Sequence, residues 1–473
     1  MIRFLRPMQR PGRASGRRTH RCVSPRLIGA NAPVSLGDTS EAGRAPSSAR
    51  AALAVIALVL TTAATAQPRD DLLSLYAQAQ GSDPQYQLAA AQQRLLAGRA
   101  DAARAPLLPQ WSLQAQQQRV AGAALRSSGS TITQTLVDVA ALYGWRAAET
   151  EASAGDVRRA AAEQALRARV ARAYFGLLSA QSQLATAETT EAAYAEQVRQ
   201  NQVRVDNRLA APLDVQQARA YLGLAQTATL AAREQLADAV QAMQELTGQP
   251  PLPLKPLRAD LHPALPQPND AAAWVAEARD HHPLVRAAAQ DVQAASQRQR
   301  AARAGHLPTL GLAATTQRAP IGGVPGAAAQ TQTVVGVQLT VPLFSGGATL
   351  AQQQQAAAQH DANQAQHDTA LRAAVREAEA QFQAAQGSVA QVAATQAAAE
   401  AAEQALTATR AGLAHGTRGM TDLLIAIQTQ AQAQNAHALA RHRHVLALVL
   451  LRQAAGRLGV DDLAAVNAML DAD

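Results

Sequence analysis

Apolar residues step at alternating intervals of four and three in two distant stretches. Leu166, Val170, Ala173, Leu177, Ala180 and Leu184 form one series, and Leu371, Val375, Ala378, Phe382, Ala385 and Val389 repeat it. This is a heptad seam, which predicts long helices packed as a left-handed coiled coil. The first helix should run from about Gly144 to Asp206, roughly 90 Å at 1.5 Å per residue. Each rod meets a short polar turn, residues 207–214 or 415–422, and returns as a second helix to about Leu246 or Leu458.

Elsewhere the period falls to two. Trp111-Ser-Leu113-Gln-Ala115-Gln alternates apolar with polar residues, Leu310 to Ala314 does so weakly, and Val335-Gly-Val337-Gln-Leu339-Thr-Val341 does so most clearly. Such alternation predicts strands with one apolar face and one polar or small face. Thr131 to Val137 is ambiguous, and the Gly-, Ser- and Ala-rich stretches Val120 to Ser130 and Arg318 to Gln330 read as loops. Each strand pair follows a helix, Pro84 to Ala105 or Pro283 to Ala304, which ends before a Leu-Pro step.

The order of elements is duplicated. Ala102-Ala103-Arg104-Ala105 with Leu108-Pro109 recurs as Ala301-Ala302-Arg303-Ala304 with Leu307-Pro308. The chain therefore divides into a leader (1–66), a first repeat (67–248, strand pair 110–137, tip 207–214), a Pro-rich linker (249–268), a second repeat (269–460, strand pair 309–344, tip 415–422) and a tail (461–473). The linker should wrap the outside of the repeats.

Charge changes the picture once it is located. The formal net charge is +8, and residues 1–66 hold ten arginines against Asp38 and Glu41, which accounts for all of it. The remainder is neutral, which removes the case for a nucleic-acid partner. Arg50, the apolar run Ala51 to Ala63 and Ala64-Thr65-Ala66 read as a signal peptide with cleavage before Gln67. Cys22, the only cysteine, lies in the removed portion, which leaves no thiol chemistry. Past residue 66 no apolar run reaches the eighteen or so residues of a membrane helix. Any span must then be a barrel, and four strands cannot close one alone, so either the strands are soluble or subunits share a barrel, two chains giving eight strands and three giving twelve.

These features together resemble the TolC-type outer membrane factors. The residues that carry the resemblance are the two Leu-Pro steps opening the strands, Val341-Pro342-Leu343-Phe344-Ser345-Gly346-Gly347 closing the last strand, and Gly416-Thr417-Arg418 with Thr421-Asp422 at the second tip. The resemblance spans about residues 70 to 460. It implies a mainly α fold with a membrane β part, four strands per chain in a twelve-stranded barrel shared by a homotrimer, and a coiled-coil tunnel in the periplasm. It implies a passive export duct in outer membrane lipid, docked on a periplasmic adaptor (membrane fusion protein) and an inner-membrane ABC or other transporter. Among family members it looks most like those serving type I secretion of a protein toxin. The family's periplasmic gate, carried over by position, would use Gly416, Thr417, Arg418 and Asp422 at one tip and Asp214 at the other. Arg418 and Asp214 would pair, and Asp422 would form an acidic ring. A capping role suits both aspartates as well. Pro109, Pro308, Pro342 and Phe344 would mark strand boundaries. Two departures stand out: Ile425 occupies the place of a second acid, and Arg208 stands opposite Gly416, where Asn207 could take the left-handed conformation instead.

Nothing else suggests chemistry. His281-His282 and Arg441-His442-Arg443-His444 read as solvated helix faces, and no nucleophile elbow, phosphate loop or dinucleotide fingerprint is present. The residues imply no enzyme, cofactor or metal. Trp111, Tyr143 and Phe344 sit near strand ends, where interfacial aromatics belong, with core packing an equal reading for Tyr143. Two alternatives to the secretion duct stay open: the duct of a multidrug efflux pump, and a soluble periplasmic coiled-coil adaptor.

Overall fold

A computed structural model describes residues 69–120, 123–324 and 327–471. The proposed leader, its cleavage site and Cys22 lie outside the described residues. The first repeat comprises α1 (Leu72–Ser82), α2 (Pro84–Arg104), strands β1 (Gln110–Val120) and β2 (Ala123–Val137), α3 (Val139–Asp206) and α4 (Pro212–Thr247). The second comprises α5 (Ala271–His281), α6 (Pro283–Ala304), β3 (Thr309–Pro320), β4 (Ala329–Thr340), α7 (Ala348–Ala414) and α8 (Met420–Ala454), followed by α9 (Val460–Asn467). At 68 and 67 residues, α3 and α7 are each roughly 100 Å long.

Each long helix serves two neighbourhoods. The N-terminal half of α3 packs on α2 and α6, held by the ion pairs Arg158–Asp291 and Glu151–Arg298. Its C-terminal half packs on α4 and α8, through Arg233–Glu188 at 3.0 Å and the contact of Ser179 with His442. Burial along α7 follows the heptad, through Ala385, Ser388, Val392, Ala402 and Leu406. The sequence series is offset there: Leu371 and Val375 are only half-buried, whereas Ala374 is buried.

The largest core lies where α3, α4 and α8 meet α1 and α9, around Leu166, Val170, Tyr174, Phe175, Met243 and Leu463. The linker takes part in it rather than simply wrapping outside. Leu254 and Leu257 are buried, and Tyr174 donates to the Lys255 carbonyl at 2.7 Å. Short bridges pair Leu254 with Asp70 and Leu257 with Leu470. Asn467 of α9 accepts from the Leu72 N–H at 3.1 Å and donates to Asp71 at 3.0 Å, which ties the tail to the start of α1.

The four strands form one antiparallel sheet in the order β1-β2-β3-β4, so β1 and β4 are open edges. Much of what reads as loop in 120–130 and 318–330 is strand. Ala123–Ser130 pairs with β1, and Arg318–Pro320 pairs with the start of β4. Small residues suit the end of this stretch, because from Ser128 onward β2 has partners on both sides: a Cβ on Gly129 would sit 3.3 Å from the Thr316 carbonyl oxygen. Pairing thus overrides a weak local preference. At the other end β4 stops at Thr340, two residues before Pro342. Phe344 lies in the connection to α7, 89% exposed, and Pro109 and Pro308 directly precede β1 and β3.

Register assigns the two faces of the sheet. Trp111 pairs with Ile132, Leu113 with Ser130, Ile132 with Ala314, Leu312 with Val337 and Leu310 with Leu339. Paired residues share a face, so Trp111, Leu113, Ile132, Leu312, Val337 and Leu339 lie together, each exposed. The opposite face carries Ser112, Gln114, Thr131, Thr133, Thr315 and Gln338. No described helix is long and apolar enough to cross a membrane.

The histidines of α8 depart from the sequence expectation of a solvated face. His442 and His444 are both buried. Residues two apart on a helix point to nearly opposite sides, and α8 is flanked on both. His442 Nδ1 lies 3.0 Å from Ser179 Oγ of α3, and His444 Nδ1 lies 2.8 Å from Ser388 Oγ of α7.

Candidate functional site at the helical tips

Both hairpin tips close with the same backbone. In the second, the N–H of His415 reaches back to Ala411, that of Gly416 to Leu413 and that of Thr417 to Gly412, at 2.8–3.2 Å. In the first, Asn207 reaches Val203, Arg208 reaches Val205 and Leu209 reaches Arg204, at 2.7–3.1 Å. This is the left-handed helix ending that glycine favours. Gly416 has φ 72° and Arg208 has φ 58°, whereas Asn207 has φ −87°. The left-handed residue is therefore Arg208 itself, not Asn207, because the bonding pattern fixes which position must turn. An L-residue there is disfavoured by about 1–2 kcal/mol.

Arg418 is placed by Gly412, a residue to which the sequence reading gave no role. A Cβ on Gly412 would come within 2.7 Å of Arg418 Cγ and 3.2 Å of Thr417 Oγ1. The Gly412 carbonyl accepts from the N–H groups of Thr417 and Arg418 and from the Thr417 hydroxyl, at 2.8–3.2 Å. The bare glycine lets Arg418 lie across the end of α7 with its head exposed. A Gly-x-x-x-Gly spacing in an alanine-rich helix was the available signal.

Asp422 accepts from the Gly419 N–H at 3.1 Å, which caps α8 and complements its dipole. Asp214 occupies the matching place in the first turn of α4, half-buried. Among the described residues no ion pair joins Arg418 to Asp214 within the chain. The tips are tied instead by Thr421, whose hydroxyl donates to Gln217 Oε1 at 2.9 Å, and by Tyr194, whose hydroxyl donates to the Leu424 carbonyl at 3.1 Å. Burial, followed by the neighbouring Tyr221, pushes the Tyr194 phenol up to about 12. It stays a neutral donor, its ring 5.5 Å from that of Tyr221. Tyr194 packs with Ala218, Leu406, Met420, Leu423 and Ile427, which makes one small core out of both hairpins. Scarcity was the clue to Tyr194, since the whole chain has six tyrosines.

Beside this core a cleft of about 400 Å³ opens between α3, α4 and α8, lined by Tyr194, Tyr221, Leu224 and Asn435 among others. Leu209 and Leu213 stand 71% and 62% exposed at the first tip. No group of three or more metal-ligating side chains occurs among the described residues.

Comparison with known proteins agrees with this architecture. Residues 75–249 and 274–457, the two repeats, match the family model described as outer membrane efflux protein. The chain is 29% identical over 428 residues to the outer membrane protein TolC of Vibrio cholerae, covering 88% of this chain and 97% of that one. It is 30% identical over 341 residues to the alkaline protease secretion protein AprF of Pseudomonas aeruginosa, covering 72% of this chain and 71% of that one. Among solved structures, the outer membrane protein VceC of Vibrio cholerae superposes with a TM-score of 0.71 at 20% identity, over 81% of this chain and 96% of that one. The chain thus belongs to the outer membrane efflux protein family, as a non-enzymatic TolC-type channel protein of the outer membrane whose helices form its periplasmic part.

Proposed function

We propose that three copies form a passive export duct with a shared twelve-stranded barrel, docked on a periplasmic adaptor and an inner-membrane transporter. The observation that carries this reading is the sheet. It has one exposed apolar face, one polar face and two unpaired edges, and an open edge has no stable place in hydrocarbon. Closing three such sheets edge to edge turns the apolar face to lipid and the glutamine- and threonine-rich face to a lumen. The adaptor alternative loses its support, because the family match takes in both repeats with their strand pairs.

The cargo proposed is a protein secreted by a type I route, supported by the likeness to a relative named for protease secretion. Export of a toxin of the adenylate cyclase-haemolysin kind is its narrower form. The family's description as efflux proteins favours a second reading, the duct of a drug pump. Deleting the gene and comparing secreted protein with drug susceptibility separates them: loss of a secreted protein with unchanged susceptibility supports secretion, and the converse sinks it.

Closure is proposed at the tips, where a three-fold axis would gather three copies of Arg418, Asp214 and Asp422. Among the described residues Arg418 has no acidic partner within its own chain, and its exposed head is placed to pair with Asp214 of a neighbouring copy. Replacing Arg418 with Ala should raise single-channel conductance in a planar bilayer, and an unchanged conductance would show that Arg418 only packs the tip.

A further inference from the structure

The apolar face of the sheet is not apolar along its whole length. Its end nearest the helices carries Trp111, Leu113, Ile132, Leu312, Val337 and Leu339, whereas its far end carries Arg119, Arg126 and Arg318. Register sets the three arginines on one diagonal. Arg119 pairs with Ala124, two residues from Arg126, and Arg318 pairs with Ser128, two residues on the other side. Diagonal neighbours on one face lie about 7–8 Å apart, within mutual reach of long side chains. All three are exposed, none has an ion pair or side-chain hydrogen bond among the described residues, and Arg126 and Arg318 line a shallow cleft of about 440 Å³ with Gln117 and Ser128. The strands β1 to β4 contain no Asp, Glu or Lys. Three guanidiniums therefore repel one another with no built-in counter-charge, an arrangement that calls for an external anion.

The barrel reading fixes the depth of this cluster, and the inference rests on that reading. Trp111 to Arg119 spans about 27 Å along the strand, roughly 20 Å across the membrane at a tilt of about 40°. With the helices on the periplasmic side, the arginines come to the outer margin of the apolar band, on the lipid-facing side of the wall. Anions held at that depth are the phosphates of lipid headgroups, and the guanidinium fork matches a phosphate with two hydrogen bonds. We propose that Arg119, Arg126 and Arg318 form a binding site for the phosphate-bearing headgroup of an outer-leaflet lipid, one site per protomer, with the acyl chains lying along Leu113, Ile132 and Val337.

The test uses native mass spectrometry of the full chain in detergent. The probes are a bisphosphorylated diglucosamine lipid, the same lipid without its phosphates, and inorganic phosphate. The wild type should bind the phosphorylated lipid at least tenfold more tightly than the dephosphorylated one. The triple variant Arg119→Gln, Arg126→Gln, Arg318→Gln should lose that preference, and the corresponding triple Lys variant should keep most of it. Millimolar inorganic phosphate should leave lipid binding largely intact, and full displacement by it would assign the site to free phosphate. Equal affinity for the two lipids, or an undiminished preference in the Gln variant, overturns the proposal. Planar-bilayer conductance keeps the two readings apart. A wild type that forms no channels sinks the barrel, whereas a Gln variant that conducts normally and keeps its phosphate preference sinks the lipid site alone.

Discussion

His442 sits between α8 and α3 with its Nδ1 against Ser179 Oγ and its ring 6.3 Å from that of Phe175. Ser179 Oγ donates to the Phe175 carbonyl at 2.6 Å, so it accepts from His442, whose Nδ1 carries the proton. A second proton would have to sit on Nε2, which has no acceptor among the described residues. Burial, followed by the Arg441 charge, accordingly pushes the imidazole down to about 4. The sign of the effect follows. Above about pH 6.5, the ordinary histidine value, the ring is neutral in folded and unfolded chains alike and its contribution is fully present. As pH falls from 6.5 towards 4 the unfolded chain takes up the proton first, and stability is lost at about 1.4 kcal/mol per pH unit. Over that window the loss approaches about 3 kcal/mol per chain. His442→Leu removes the titrating ring at similar volume, while Ser179 keeps its bond to Phe175. Amide exchange along residues 438–446, corrected for intrinsic rates, should accelerate about tenfold per pH unit more in wild type than in the variant between pH 6.5 and 4. Parallel pH profiles would refute the reasoning. His444, also lowered by burial, supplies a background slope common to both proteins.

Two substitutions probe the backbone. Arg208→Gly should stabilise the first tip by about 1 kcal/mol by relieving the left-handed arginine, net of glycine's greater freedom when unfolded; slower amide exchange at Leu209 is the readout, and an unchanged rate would mean that the turn carries no such cost. Gly456→Ala should remove about 3 kcal/mol or more, because Gly456 has φ 75° and its Cβ would lie 2.7 Å from His282 Cα and 2.8 Å from the His281 carbonyl oxygen; a thermal midpoint equal to wild type would show that the α5–α6 junction gives way.

What the sequence shows clearly is what a strong local signal encodes. Leu166, Val170 and Leu177 are bulky residues among alanines, and all three are buried. In α7 the signal thins, since alanine lies on every side and Ala374 rather than Leu371 reaches the core. Ala123–Ser130 is hidden for another reason: its strand state depends on pairing, with β1 along its whole length and with the distant β3 from Ser128 onward, and Gly, Ser and Ala announce nothing by themselves. The α8 histidines show the same limit. Whether a histidine faces water depends on how many helices flank its own, and periodicity along α8 is silent on that. At the tips, Gly416 is legible as a helix ending. The role of Gly412 emerges only once Thr417 and Arg418 fold back upon it.

The unpaired edges of β1 and β4 have a genetic consequence. Each leaves a row of backbone groups that cost several kcal/mol apiece if buried unsatisfied in hydrocarbon, so a lone subunit has no resting place in the bilayer. Entering the membrane and finding partners must then be one event. A copy with intact helices and a damaged edge strand would still be recruited, and would spoil every assembly it joined. Co-expressed with the normal gene, such an allele should act as a dominant poison.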